Sequence, residues 1–178
     1  MGHKHSREQI LEAALAVALD EGLSVLTFGR VAKQLGISDR TVVYYFPSKD
    51  DLVSEVLFGI AAQVQVVLAE AFTAPAPGHR DLARAAWPVL ARPDVDPWFA
   101  LFFEANGLAA AGREPYATLI AQLVDAWVAW VAEFVEGPAK QRRAEAEAAI
   151  ALVEGLLLLR QLGGPAAANR AATALGIR

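Results

Sequence analysis

No stretch of these 178 residues alternates β-branched with polar side chains, while apolar residues return at spacings of three and four between clear stops. A period near 3.6 builds helices and a period of two builds strands, so the pattern specifies an all-α fold. The first helix opens at Ser6, where Gln9 completes an S-x-x-Q capping box, and runs through Ile10, Leu11, Ala14, Leu15, Ala18 and Leu19 to Gly22. Thr27 opens a short second helix through Leu35, closed by Gly36. Ser38 caps a third that ends at Phe46 before Pro47. Ser48 and Asp51 form another capping box, from which a long helix runs from Lys49 to about Ala71. After the breaker-rich loop Thr73–Gly78, helices are expected at about 79–91, 95–110, 114–136, 140–163 and 165–175, about nine in all.

Length and composition narrow the class. Hydrophobic residues make up 55% of the chain and charged residues 20%, enough to bury a core. The most apolar stretch, Val56 to Ala69, is interrupted by Gln63 and Gln65 and falls short of the ~20 residues of a bilayer span. No membrane partner is expected. The chain has no cysteine, which excludes disulfides and thiolate chemistry, and no apolar leader opens it, so a cytoplasmic location is expected.

The net charge of −4 argues by itself against nucleic acid, but the average hides a reversal. Between Ser24 and Lys49 the charges are Arg30, Lys33, Asp39, Arg40 and Lys49, four positive against one negative. Residues 51–178 are acidic. A basic segment in an acidic protein suits a DNA-contacting module of residues 1–50 joined to a second, non-contacting domain of residues 51–178. Residues Phe28 to Asp50 also have the parts of a helix–turn–helix. Ala32 provides a small crossing residue, Gly36 a turn able to take positive φ, and Val42 an apolar contact, with Val31, Leu35, Ile37 and Phe46 completing a small core. Left on the outer surface are Arg30, Lys33, Arg40, Thr41, Tyr44, Tyr45 and Lys49, side chains that bind phosphates and base edges. Arg40 and Thr41 fall early in the second helix of the pair, where a recognition helix meets bases. Any α-hairpin can carry a glycine turn, and this basic outer face is what favours DNA.

The run Leu26 to Ser38, LTFGRVAKQLGIS, followed by Thr41 to Leu52, TVVYYFPSKDDL, resembles the N-terminal domain of TetR-type transcriptional repressors over residues 6 to about 58. The resemblance implies a three-helix DNA-binding head on a larger helical domain that dimerises and often binds a small ligand. It implies that Thr27 and Lys49 contact phosphates, that Thr41 and Tyr45 lie in or beside the major groove, and that Arg40 reads a base. Ser38, Arg30 and Tyr44 complete the DNA-facing set. Two positions depart from the family pattern: Val43 stands where a tyrosine is common, so that phosphate contact is either missing or moved to Tyr44, and Gly29 stands where some members place a long base-reaching side chain, leaving Arg30 as its substitute.

The remainder is rich in aromatics. A ligand cavity would draw its walls from Phe58, Trp87, Trp98, Phe102, Phe103, Leu123 and Trp127, with Glu104 and Asn106 as polar anchors; core filling is the plainer use of the same rings. Between Ile150 and Leu162 one apolar stripe holds Ile150, Val153 and Leu157, and a second holds Leu152, Leu156 and Leu159. One stripe faces the chain's own domain, and the second, extended to Leu162, calls for a homodimer partner unless the helix is wholly buried.

Catalytic signatures are missing. Gly107 to Gly112 has the spacing of a phosphate loop but continues Arg113-Glu114, and neither G-x-S-x-G nor H-E-x-x-H occurs. His3, His5 and His79 are too few and too dispersed for zinc, so no metal, no cofactor and no enzyme activity are expected. Met1-Gly2-His3 has the form of an N-terminal copper site, and Met1 to Ser6 fits a short myristoylation pattern, both set aside as coincidental. The expected function is a dimeric repressor that binds an inverted-repeat DNA operator and is released by a small hydrophobic effector. The alternative is a helical carrier of hydrophobic molecules.

Overall fold

The computed structural model describes residues 5–178, so Met1-Gly2-His3 and the start of the myristoylation pattern lie outside the described residues. Eight helices follow one another: α1 Arg7–Glu21, α2 Phe28–Leu35, α3 Asp39–Tyr45, α4 Lys49–Ala69, α5 His79–Leu90, α6 Asp96–Ala110, α7 Tyr116–Ala132 and α8 Ala139–Ala174. The backbone of α8 leaves helical geometry at Gly164 (φ 80°, ψ 167°), just before Pro165, so it consists of two arms and the count of nine is recovered. Packing divides the chain into two compact units. The first joins the chain up to Ala62 with Leu101–Leu119, and the second joins Gln63–Ala100 with Ile120–Arg178.

In the first unit the expected caps form. The Ser6 backbone N–H donates to Gln9 Oε1 at 3.0 Å while the Gln9 N–H donates to Ser6 Oγ at 3.3 Å. Thr27 Oγ1 accepts from the Arg30 N–H at 3.3 Å, and Ser48 Oγ accepts from the Asp51 N–H at 3.0 Å. Each cap satisfies a helix N–H that would otherwise lack a partner, stabilising its helix by ~1 kcal/mol. Gly36 ends α2 in the left-handed region (φ 65°, ψ 34°), where a Cβ would be strained, and its N–H returns to the α2 carbonyls. Ile10, Ala14, Leu23, Leu26, Val31, Ala32, Val42 and Phe46 close the core of the three-helix head. Leu35 and Ile37 are only half-buried at its edge.

α4 departs from one expectation. At 21 residues it is long and apolar enough, by length and composition, to cross a membrane, because the helix begins at Lys49, ahead of the apolar stretch counted from sequence. Leu52, Val53, Val56, Leu57 and Ile60 are nonetheless buried within the protein, as are Val64 and Leu68 further along, which is how a core helix uses such residues.

In the second unit α5 packs on α8, burying Leu82, Ala83, Ala86, Trp87 and Leu90 of α5. Asp96, at the first turn of α6, receives Arg160 of α8 through two bonds, Nε at 2.5 Å and Nη2 at 2.8 Å, and the Asp96 carbonyl accepts from Gln161 Nε2 at 2.8 Å. The Arg160 side chain is only 4% exposed. A guanidinium so enclosed needs its carboxylate, since desolvation penalises an unpaired charge heavily. Helix α7 ends at Ala132, short of the expected 136, because Phe134 and Glu136 bond instead to Ala76: its N–H donates to the Phe134 carbonyl at 2.8 Å and its carbonyl accepts from the Glu136 N–H at 3.0 Å. This single bridge pins the Thr73–Gly78 loop.

Candidate nucleic-acid interface

The outer surface of the head is polar because its inner surface is spent on the core. In α3, Val42 points inward and is fully buried, leaving Arg40 exposed, Thr41 half-buried and Tyr44 77% exposed. Tyr44 stands edge-on against Tyr45 with ring centroids 5.0 Å apart. Among the described residues Lys33, Arg40 and Lys49 have no ion-pair partner, and all three are exposed. Their charge is uncompensated by the fold and available to phosphates.

Four other members of the expected DNA-facing set already serve the fold. Thr27 caps α2 as described. Arg30 pairs with Glu21 at the end of α1. Ser38 Oγ lies 3.1 Å from Thr41 Oγ1 and makes no cap bond to the helix backbone. The Tyr45 hydroxyl donates to the His5 carbonyl at 3.0 Å, tying α3 to the segment before α1. Arg7 was not singled out from sequence, yet it bonds Glu55 of α4 at 2.7 Å and places its guanidinium 4.9 Å from the Phe46 ring centroid.

Glu104 corrects another expectation. Its carboxylate, expected either as a ligand anchor or on a solvated helix face, accepts from the Leu23 N–H at 2.9 Å, the Ser24 N–H at 3.0 Å and Ser24 Oγ at 2.5 Å, clamping the turn between α1 and α2. Gly22 makes the approach possible, since its φ is +92° and a Cβ there would sit 2.9 Å from Glu104 Oε2. Nothing in local spacing signals a contact between residues 80 apart. The other proposed anchor, Asn106, has a buried Oδ1 without a hydrogen-bond partner in the chain.

Of the seven expected ligand-lining residues, Phe58, Phe102 and Phe103 lie in the first unit and Trp87, Trp98, Leu123 and Trp127 in the second. Phe102 and Phe103 are neighbours with centroids 5.9 Å apart. Trp127 stands edge-on to Trp130 at 5.3 Å, and Trp130 continues into a cluster with Phe72 and Phe134. Trp87 and Leu123 are buried, Trp98 is half-buried and Phe58 is exposed. Within the first unit a cavity of about 280 Å³ is lined by Ser24, Lys49, Asp50, Val53, Leu108, Arg113, Glu114, Pro115 and Tyr116, none of them among the seven. Burial, and after it the carboxylates of Glu104 and Asp50, push the Tyr116 phenol above its ordinary value, so it stays a neutral hydroxyl.

On α8 the two apolar stripes are distributed differently from the expectation. Val153, Leu156 and Leu157 are all buried within the chain, so Leu156 leaves the second stripe, while Leu152 is half-buried. Leu158, Leu159 and Leu162 remain exposed, Leu162 at 80%. Leu156 turns inward because it follows the buried Val153 at a spacing of three, on the same face of α8. Among the described residues no group of three or more histidines or carboxylates is arranged to hold a metal.

Comparison with known proteins finds a family model that matches the head. Residues 10–56 match the bacterial regulatory proteins of the tetR family. No curated protein sequence matches the chain. Among solved structures, a candidate TetR-family transcriptional regulator from Rhodococcus sp. aligns over 96% of each chain with a TM-score of 0.72 and 21% identity. A candidate transcriptional regulator from Saccharomonospora viridis in complex with choline aligns over 96% of this chain and 93% of its own, with a TM-score of 0.71 and 20% identity. The multidrug binding protein EbrR, complexed with imidazole, aligns over 98% of this chain and 93% of its own, with a TM-score of 0.70 and 24% identity. The likeness extends through all eight helices as a shared fold.

Proposed function

We propose that this chain, whose residues 10–56 match the tetR family and whose whole length shares the fold of solved regulators, is a cytoplasmic TetR-type repressor that binds an inverted-repeat operator as a homodimer and lets go when a small effector binds. The observation that carries this reading is the outer face of the head, where Arg40, Tyr44, Lys33 and Lys49 stand exposed over a closed core. Arg40 reads a base edge, with Thr41 beside it in the major groove; Lys49, Tyr44 and Thr27 take phosphates. Arg30, Ser38 and Tyr45 border the same surface and hold it in shape through the contacts above. The exposed Leu159 and Leu162, with Leu152 beside them and Leu158 in place of Leu156, form the dimer contact, since α8 otherwise leaves large apolar side chains in water.

The effector part draws support from structural neighbours that hold choline and imidazole. Within the second unit, Trp87, Trp98, Leu123 and Trp127 are the residues we assign to a hydrophobic effector. No enzymatic step is part of this function. Selection of bound sequences from a random DNA pool tests the whole reading, the expected product being an inverted repeat with half-sites one helical turn apart, ~34–36 Å. Recovery of no preferred sequence, with binding indifferent to salt, would favour a carrier of hydrophobic molecules instead. Leu159→Glu should yield monomers in sedimentation and lose the paired half-site, because a carboxylate would have to enter the interface unpaired.

A further inference from the structure

The cavity of the first unit has a charge pattern that the repressor reading does not use. Lys49 and Asp50 begin α4, Arg113 belongs to the connection between α6 and α7, and Tyr116 begins α7. That connection is closed on itself, the Arg113 N–H donating to the Leu108 carbonyl at 3.0 Å and the Ala117 N–H to the Arg113 carbonyl at 2.9 Å. Glu114, the remaining charged group in the wall, is occupied by the Thr118 N–H at 3.3 Å and the Thr118 hydroxyl at 3.0 Å. Lys49, Arg113 and Asp50 therefore line the space without an ion-pair partner among the described residues.

Glu114 keeps its charge while its oxygens are taken by Thr118, so two cations and one carboxylate with hydrogen-bonding capacity to spare face this open cleft, a set that favours a ligand carrying both signs. A simple anion would meet Asp50, and a simple cation would meet Lys49 and Arg113. A zwitterion satisfies all three. Val53, Leu108 and Pro115 supply an apolar wall, and Tyr116 also borders the space. At about 280 Å³ the cavity lies just below the ~300–1,000 Å³ range of pockets for drug-sized molecules, which points to a small metabolite.

We propose that this cavity binds a small aliphatic amino acid as its zwitterion, and that the bound carboxylate holds Lys49 away from DNA phosphates. The second half rests on the DNA-binding reading above. Since Lys49 contacts phosphate and not base, occupancy weakens binding to all sequences by one factor, and linkage requires DNA to weaken the amino acid by that factor in return.

Calorimetric titration of the full chain with L-leucine tests the site without DNA, against 4-methylpentanoate, which lacks the ammonium, and isopentylamine, which lacks the carboxylate. L-leucine should bind, with both analogues weaker by at least ~10-fold, the loss that follows removal of one charged hydrogen bond. Arg113→Gln and Asp50→Asn should each weaken L-leucine by a similar factor, with the DNA affinity of each variant without L-leucine taken as its own baseline and circular dichroism verifying its fold. In fluorescence anisotropy, saturating L-leucine should lower affinity for a selected operator and for unrelated DNA by one factor, an effect lost in Arg113→Gln. Absence of L-leucine binding, equal binding of the analogues, or undiminished binding by Arg113→Gln overturns the site. Binding that leaves DNA affinity unchanged overturns the link through Lys49. A chain that binds no DNA even without L-leucine overturns the regulatory half together with the repressor reading, and calorimetry then judges the site by itself.

Discussion

The head and the second unit hold their polar groups in opposite ways. Around the head many of the bonds are local, Ser6 with Gln9, Thr27 with Arg30, Ser38 with Thr41 and Ser48 with Asp51 each spanning three residues, beside the longer ties of Tyr45 to His5 and Arg7 to Glu55. In the second unit the bonds that matter join distant helices, Asp96 to Arg160 across 64 residues and His79 to Glu145 across 66. Local caps stabilise each helix of the head separately and leave its outer face free to be charged. Distant pairs make the helices of the second unit depend on one another, so a single loss there should propagate further. The difference suits a surface that binds DNA joined to a body that holds its shape.

The largest effect is therefore expected at Asp96. Asp96→Ala leaves the nearly enclosed Arg160 guanidinium without its two bonds, and should cost ~3–5 kcal/mol of stability in urea unfolding followed by circular dichroism. Replacing both partners, as in Asp96→Ala with Arg160→Met, should recover much of the loss by removing the stranded charge. If the double variant is as unstable as the single one, packing and not the buried charge is the source.

Glu104 is where the comparison can be broken, because it is the most distant of the ties inside the first unit described above. Its carboxylate receives three hydrogen bonds from the turn after α1, and Glu104→Ala should cost ~2–3 kcal/mol, the scale of bonds to a charged acceptor. Hydrogen exchange at the Leu23 and Ser24 amides should speed up before that of the α1 interior. Unchanged protection there would show that the turn holds without its clamp.

The same contrast explains what was legible in the amino-acid sequence. Ser6, Thr27, Gly36 and Ser48 act within one turn of their own position, so a spacing of three or four residues discloses both element and boundary. Leu156 was placed on the wrong face because periodicity shows that α8 has two apolar sides without showing which of them α5 covers. Glu104 was misread because the groups that need its carboxylate, the N–H groups following Gly22, lie far away in the chain. The end of α7 was overextended because Ala76, from another loop, competes for the backbone of Phe134 and Glu136.

At the DNA surface smaller and more selective effects are expected. Arg40→Ala should cost ~1–3 kcal/mol of operator affinity and relax preference at one position per half-site, whereas Lys49→Ala should weaken all sequences alike and reduce the salt slope by ~1. Equal losses on operator and unrelated DNA for both variants would remove Arg40 as a reader of bases and leave the head with phosphate contacts alone.

The smallest expected effect concerns acid. Glu145 Oε2 receives the His79 backbone N–H at 2.8 Å and lies 2.7 Å from His79 Nδ1. The backbone bond first, and the ring second, hold its carboxyl below the usual value of 4.5. The folded protein thus binds this proton less readily than the unfolded chain, so the stabilisation is complete above 4.5 and is lost as pH falls through the depressed folded value. The Glu145 side chain is 27% exposed, and solvent screening keeps the effect modest. Urea midpoints from about pH 6 to about pH 3 should fall less steeply for Glu145→Gln than for the parent chain. His79→Ala should show an intermediate slope, because it removes the ring and keeps the backbone donor. Parallel curves for Glu145→Gln and the parent would assign the acid limb to other carboxylates, such as Asp94 beside Arg92, which is also held below its usual value.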